Sequence, residues 1–149
     1  VIEQVIGEDR GAVLTFAGTV RNTNLGRRVL SIDYHAYESM AQKEIEKLEE
    51  ETAARWPGVK VRIVHRIGKL ELGDASVFIA AAGAHRDESF AALRHAIDRL
   101  KERPRSGNVR ATKTAARPGW KVPEAGGLWG ESQFNRAYEF LNNQLTPFR

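Results

Sequence analysis

The sequence predicts an α+β fold: a mainly antiparallel sheet with two principal helices. Two observations carry that prediction. Short apolar, β-branched runs stand close together between turn formers, in the order strands, helix, strands, helix, with no regular strand–helix–strand repeat. Glu38 to Trp56 and Ala84 to Lys101 place apolar residues at steps of three and four over a helical length. The chain has 149 residues and no internal repeat, enough for one domain with its own core.

Taken in order, Val1 to Ile6 reads as the end of a helix and Gly7-Glu8-Asp9-Arg10-Gly11 as a turn. Because the first residue is valine, the natural start is expected upstream. Ala12 to Val20 is apolar and β-branched, as a buried strand requires. Arg21 to Gly26 is a polar loop of turn formers. Leu30 to Tyr37 alternates as a second strand, and the two strands are expected to form a long hairpin with Arg21 at its tip end. Glu38 to Trp56 is an amphipathic helix with Met40, Ile45, Leu48, Thr52 and Trp56 inward, closed by Pro57-Gly58. Val59 to Ile67 is a strand, Lys69 to Leu72 a shorter one, Gly73-Asp74 a turn, and Ala75 to Ala82 a further apolar strand. That strand leads into the second helix, whose apolar stripe is Phe90, Leu93, Ile97 and Leu100.

The pattern ends after Glu102. Arg103 to Gly119 has no hydrophobic period and the composition of a loop, and Glu131 to Leu145 reads as a last short helix through Phe134, Tyr138 and Leu141. The chain therefore divides into a domain over 1–102 and a divergent basic tail over 103–149. Residues 1–102 hold 15 Lys/Arg against 16 Asp/Glu, and residues 103–149 hold 8 against 3, so the net charge of +4 belongs to the tail. From Arg103 to Lys121 there are six basic residues and no acid, the profile of a nucleic-acid-binding arm and the basis of a rival reading.

Hydrophobic content of 42% and charged content of 28% are those of a globular protein in water. No apolar run has the length of a membrane span and no signal-peptide pattern opens the chain, so a cytoplasmic location is expected. The chain has no cysteine. That excludes disulfides, thiolate metal sites and thiol nucleophiles, and any sulfur chemistry must use sulfur brought from elsewhere.

The residues suited to chemistry are cations. Arg21, at a strand end beside a glycine-bearing loop, suits a phosphate or carboxylate through its planar fork. His85-Arg86 stands at a helix start, where free N–H groups already favour an anion. Lys101 closes the same helix, where a cation also simply complements the helix dipole. Each has a plain alternative as a solvated or helix-capping side chain. Arg86 and Lys101 are separated by roughly 22 Å along the axis, so one helix cannot bring both to a single small ligand. His35, His65 and His95 have no partner at metal-ligand spacing, and no metal or resident cofactor is expected. No phosphate-loop motif or nucleophile elbow is present.

The joint order of these signals is more specific than any one of them. Gly11-Ala12-Val13-Leu14-Thr15-Phe16-Ala17-Gly18-Thr19-Val20-Arg21-Asn22, followed by Asn24-Leu25-Gly26, resembles the large, catalytic subunit of molybdopterin synthase. So do Tyr34, Tyr37-Glu38-Ser39-Met40-Ala41, Trp56-Pro57-Gly58, His65-Arg66-Ile67-Gly68 closing on Leu70 and Gly73, Ala84-His85-Arg86 and Leu100-Lys101. The resemblance covers about residues 5–102 and implies an α/β-hammerhead-like fold. It also implies a sulfurtransferase of molybdenum cofactor biosynthesis that converts cyclic pyranopterin monophosphate into molybdopterin. The sulfur would arrive as a thiocarboxylate on the Gly-Gly C-terminus of a small ubiquitin-like subunit, in keeping with the absence of cysteine. Arg21, His85 and Arg86 match the family's substrate-binding positions and Lys101 its catalytic lysine. The family's heterotetramer, a homodimer of large subunits with a small subunit at each end, offers a pocket fed by His85-Arg86 of one chain and Lys101 of the other.

One departure is specific. Shortly after the lysine matched by Lys101, the family carries a proline, an apolar residue and a tryptophan-lysine pair whose lysine belongs to the active site. This chain has Arg103-Pro104-Arg105-Ser106-Gly107-Asn108-Val109 there. Codons such as CCC CGA TCT GGA AAC GTG for Pro104 to Val109, read from the third base, give proline, isoleucine, tryptophan, lysine and arginine. The same frame permits family-like residues opposite Ala111 to Ala116 and Pro118 to Lys121. A frameshift near Arg103, leaving residues 104–149 out of frame, is therefore expected, and it accounts for the aperiodic basic tail. With the tail in its natural frame, Trp120-Lys121 offers Lys121 as a candidate substitute for the catalytic lysine, against the plainer reading of an exposed basic loop. A third reading is an inactive family member that dimerises and binds the small subunit.

Overall fold

The strand Ala75–Gly83 is buried along its whole length, and the other elements are arranged around it. In this computed structural model, which describes residues 1–24, 27–102 and 110–113, the elements in chain order are β1 (Ala12–Thr19), β2 (Thr23–Asn24), β3 (Arg27–Arg28), β4 (Ser31–His35), α1 (Glu38–Arg55), β5 (Lys60–His65), β6 (Gly68–Glu71), β7 (Ala75–Gly83), α2 (Arg86–Glu102) and β8 (Arg110–Lys113). Among the described residues every pairing between strands is antiparallel, so the fold is α+β as the sequence predicts.

The main sheet has the order β1-β7-β5. β7 pairs with β1 from Ala12↔Gly83 to Thr19↔Ala75, and with β5 from Lys60↔Ala82 to His65↔Val77. Strand alternation sends Val77, Ile79 and Ala81 to the helical face, where they meet Ile45 and Leu48 of α1 and Ala92, Ala96 and Ile97 of α2. Phe78, Ala80 and Ala82 point the other way, onto Val64, Ile2 and Val5. The start of the chain is thus a single 3-10 turn, Ile2–Gln4, that lids the second face, not the end of an α-helix.

The second sheet has the order β6-β4-β8 and a small core of its own, Val20, Val29 and Leu70 with Ile32 and Tyr34. The long hairpin expected between the first two strands does not form. β1 pairs with β7, β4 with β6 and β8, and the hairpin in that stretch is the short β2–β3 pair. The chain shifts register between Gly18 and Thr19, where the Ser76 hydroxyl donates to the Gly18 carbonyl at 3.0 Å, and then leaves the main sheet. Arg110–Lys113, expected as loop, adds a strand to β4, because backbone pairing needs no hydrophobic period. Trp120-Lys121 and the helix expected over Glu131 to Leu145 lie outside the described residues.

The helices bury faces slightly different from those expected. α1 inserts Ile45, Leu48, Glu49 and Thr52, with Trp56 partly covered, and ends where Gly58 adopts φ +90°. Met40, in its first turn, is 48% exposed. α2 rests on Ser89, Ala92, Ala96 and Ile97, flanked by Leu93 and Leu100. Small residues let it approach β7 closely, which turns Phe90, about 100° around the helix from Ser89, out to 57% exposure. Among the described residues no helix is long and apolar enough to cross a membrane.

A buried acid ties α1 to β5. The Glu49 carboxylate accepts the Ile63 N–H at 2.6 Å and an Arg62 guanidinium N–H at 2.6 Å. Burial pushes its pKa above the ordinary 4.5, against the opposing pull of both donors. In that direction the folded chain holds the proton more tightly than the unfolded chain. Stability therefore falls as pH rises from the ordinary carboxyl value toward the raised one. Glu49→Gln is expected to remove that slope from urea-unfolding midpoints taken across the acid range. Glu49→Ala, which strands the Ile63 N–H, is expected to lower stability by about 1–3 kcal/mol in the same measurement.

Candidate functional site

His85 and Arg86 owe their position to a two-residue turn. β7 ends at Gly83 and α2 begins at Arg86, so Ala84-His85 reverses the chain directly onto the sheet. The His85 carbonyl accepts the Ser89 N–H at 3.4 Å and the Ser89 hydroxyl at 2.9 Å, starting the helix with its first N–H groups facing outward. A Cβ on Gly83 would stand 2.9 Å from both Ser89 Oγ and Val59 Cγ2, so only glycine allows β7 and the first turn of α2 this close. Both side chains are exposed. Arg86 Nε lies 3.6 Å from Asp87 Oδ1, but both groups are more than four-fifths solvated, so the pairing leaves Arg86 available to another anion.

Arg21 leaves the opposite end of the main sheet. Val20 before it is buried and pinned on both sides: its N–H donates to Asp74 O at 2.8 Å and its carbonyl accepts the Gly73 N–H at 2.8 Å. Gly73 makes that turn with φ +89°, a backbone state favoured by glycine. The next residue, Arg21, therefore projects into solvent beside the start of β7.

Lys101 occupies the last turn of α2 and is exposed. α2 packs over β7 and β1, so it returns along the sheet toward the end where Arg21 emerges. Among the described residues, the side chains of Arg21, His85 and Lys101 take part in no ion pair or hydrogen bond. One chain thus presents two sets of solvated basic side chains. His85 and Arg86 sit at the Gly83 end and Arg21 and Lys101 at the Ala75 end, roughly 23 Å apart by the seven strand steps from Ala12 to Thr19.

The remaining histidines have structural surroundings. His65 Nδ1 is 2.8 Å from the Arg66 carbonyl and its ring meets Tyr34 edge-on at 5.1 Å, joining the two sheets, and burial lowers its pKa. His95 lies 5.1 Å from the Trp56 ring, with its pKa lowered by burial and then by Arg55 and Arg99. His35 pairs with Asp33 at 3.1 Å in the open. Among the described residues no three His, Asp or Glu gather as a metal site would require. Lys121 lies outside the described residues. The Glu49–Arg62 clamp escaped the sequence reading, since a buried acid in a run of surface acids leaves no mark on the pattern.

Gly83→Ala tests how tightly the first turn is held. Overpacking against Ser89 and Val59 is expected to cost about 1–3 kcal/mol in urea unfolding, with amide NMR shifts confined to the Ala84–Ser89 turn and its neighbours.

Residues 1–103 match the family model described as MoaE protein. The molybdopterin synthase catalytic subunit of Halalkalibacterium halodurans is 47% identical over 102 residues, which are 68% of this chain and 65% of that one. The chain thus spans under two thirds of that relative's length. The crystal structure of molybdopterin synthase from Staphylococcus aureus superposes with TM-score 0.65 at 40% identity, over 68% of this chain and 74% of that one. A complex of subunits 1 and 2 of molybdopterin-converting factor from Helicobacter pylori shares the fold, with TM-score 0.53 at 21% identity over 63% of this chain and 61% of that one. The matched span contains β1 through α2, both ends of the main sheet and all four cations, and the chain belongs to the MoaE protein family.

Proposed function

We propose that the chain is the catalytic subunit of a cytoplasmic molybdopterin synthase. It transfers sulfur from the C-terminal thiocarboxylate of a small ubiquitin-like subunit to cyclic pyranopterin monophosphate, within a homodimer that carries a small subunit at each end. The observation that carries this reading is the set Arg21, His85, Arg86 and Lys101: four exposed basic side chains in a domain whose own charge is balanced, three of them with no side-chain partner among the described residues. Relatives named as molybdopterin synthase catalytic subunits support the activity. A complex of two subunits solved for a chain of the same fold supports the assembly.

The chemistry asks for what these groups supply. Arg21, Arg86 and the N–H groups behind His85 suit the phosphate of the precursor. Lys101 suits the acyl carbon of the donor: once the thiocarboxylate sulfur has bonded to the precursor, water adds at that carbon, the carbon–sulfur bond breaks and the small subunit leaves as its carboxylate, and an ammonium stabilises the oxyanion formed on the way. With no cysteine in the chain, the sulfur never has to rest on the catalytic subunit. The two cation sets stand too far apart in one chain to share a small ligand, so the working site takes His85 and Arg86 from one protomer and Arg21 and Lys101 from the other.

Purified chain given thiocarboxylated small subunit and precursor is expected to form the dithiolene product, and Lys101→Ala to slow it by about a hundredfold or more. Equal mixing of Arg86→Ala with Lys101→Ala is expected to restore about a quarter of the parent rate, because half the dimers are mixed and each of those holds one intact site. Undiminished turnover by Lys101→Ala would remove the catalytic assignment, and no recovery on mixing would remove the two-chain site.

We further propose that residues 104–149 are read out of the natural frame. The pairing of Arg110–Lys113 with β4 is compatible with this, since any backbone can extend a sheet edge. Resequencing the gene through the Arg103 codon is expected to give bases whose adjacent frame encodes the tryptophan-lysine pair. Codons that cannot yield that pair would defeat the proposal.

A further inference from the structure

Phe90 is the apolar side chain of α2 that the fold turns out to solvent, at 57% exposure. It joins no core cluster, because Ser89, Ala92 and Ala96 set the line on which the helix touches the sheet. A lone apolar group on a surface is ordinary, and what distinguishes this one is its neighbours.

Phe90 follows Arg86 by four residues, so the two lie on one flank of α2, about 40° apart around the axis and roughly 6 Å along it. In a helix a long side chain leans back toward the N-terminus, over the turn before it. The ring is therefore carried toward the Arg86 guanidinium and not away from it. Arg94, four residues further on, is drawn toward the C-terminal end, with Nε 3.6 Å from Asp98 Oδ2. Among the described residues neither arginine lies over the Phe90 ring; the cation placed in that way is Arg55, 5.0 Å from the Trp56 centroid.

The other exposed aromatic among the described residues has different company. Tyr37, 68% exposed, precedes Glu38 at the start of α1, and the turn from Glu38 to Ala41 carries an acid and no cation. Phe90 instead sets an aromatic ring one helical turn from a guanidinium that is free to take an anion. That pairing fits a ligand carrying a flat heterocycle and a phosphate on one rigid frame.

We propose that the Phe90 ring is the platform on which the pterin of the substrate lies while Arg86 holds its phosphate, so that this contact selects a fused heterocycle over the other phosphates of the cell. This rests on the function proposed above and adds to it a group that reads the ring system. Cyclic pyranopterin monophosphate suits both contacts at once. Its rings are fused, so the phosphate at one end and the flat aminopyrimidinone at the other keep a fixed separation. A phenyl ring offers that plane an offset stack and asks for no hydrogen bond in return. The work is thereby divided: Arg86 does not distinguish a pterin phosphate from inorganic phosphate, and Phe90 has nothing to offer inorganic phosphate.

The test reads binding and does not need turnover. The probe is hydroxymethylpterin monophosphate, followed by its pterin fluorescence with the full chain, and inorganic phosphate is the competitor. Phe90→Ala is expected to weaken the probe by about tenfold, the usual effect of removing an aromatic platform from a stacked heterocycle, with the competition constant of inorganic phosphate unmoved. Arg86→Ala is expected to weaken both. Phe90→Tyr and Phe90→Trp are expected to keep the probe within about threefold of the parent, since either ring offers a face. Phe90→Leu, apolar but not planar, is expected to follow Phe90→Ala. Light scattering is expected to give one mass for the parent and all the Phe90 variants.

Probe binding by Phe90→Ala equal to the parent's, or by Phe90→Leu equal to that of Phe90→Tyr, overturns the platform. Loss of the probe together with a fall in mass assigns Phe90 to a contact between chains and overturns it as well. In each of these cases turnover of the precursor by the parent leaves the proposed function standing. A parent that binds neither the probe nor inorganic phosphate overturns both.

Discussion

The burial of β7 on both faces is the constraint from which the rest of the structure follows. A strand covered on two sides must satisfy its backbone within the sheet and present side chains that two different layers can accept. Its alternation of Val77, Ile79 and Ala81 against Phe78, Ala80 and Ala82 does this, with larger groups toward the start and alanines toward the end. The alanine end leaves room for α2 to begin close to the sheet, which is why Gly83 and Ser89 come into contact and why His85 and Arg86 stand at the rim. At the other end the valine and serine side chains meet the register shift of β1, and the chain leaves the main sheet there to expose Arg21. One strand thus fixes both ends of the molecule at which chemistry is proposed.

The elements were legible because each is a local pattern: β-branched runs between turn formers, and helical periods over Glu38 to Trp56 and Ala84 to Lys101. The pairing was not, because partners are chosen at long range. An uncharged β1 followed closely in sequence by an alternating β4 reads as a hairpin, yet burial against β7 stabilises β1 more than a solvent-facing ribbon can. Phe90 misled for a related reason. A hydrophobic period marks a stripe wide enough to include it, but the small residues Ala92 and Ala96 decide which line of the helix touches the sheet. Arg21, His85, Arg86 and Lys101 were readable as residues through their motifs and neighbours. Their division between two ends was only half readable: helix length separates Arg86 from Lys101, but the place of Arg21 depends on which strand β1 pairs with.

That division also decides what the cations can do. An exposed arginine or lysine gains on the order of 1 kcal/mol from an anion at contact in water, and salt reduces this further. Arg86, whose nearest acid is as solvated as itself, is in that regime. Singly, such side chains solubilise the chain; they do not select a phosphate from among the cell's anions. Selection needs several of them around one ligand with water excluded, because removing water strengthens each contact and makes their geometry exacting. The described part of a single chain supplies the charges at two distant rims of the sheet and no wall to exclude solvent from either. A second protomer would supply both at once, since the surface that brings the complementary half-set is also the surface that covers it. Dimerisation on this view is a condition for binding the substrate and not an accessory to it.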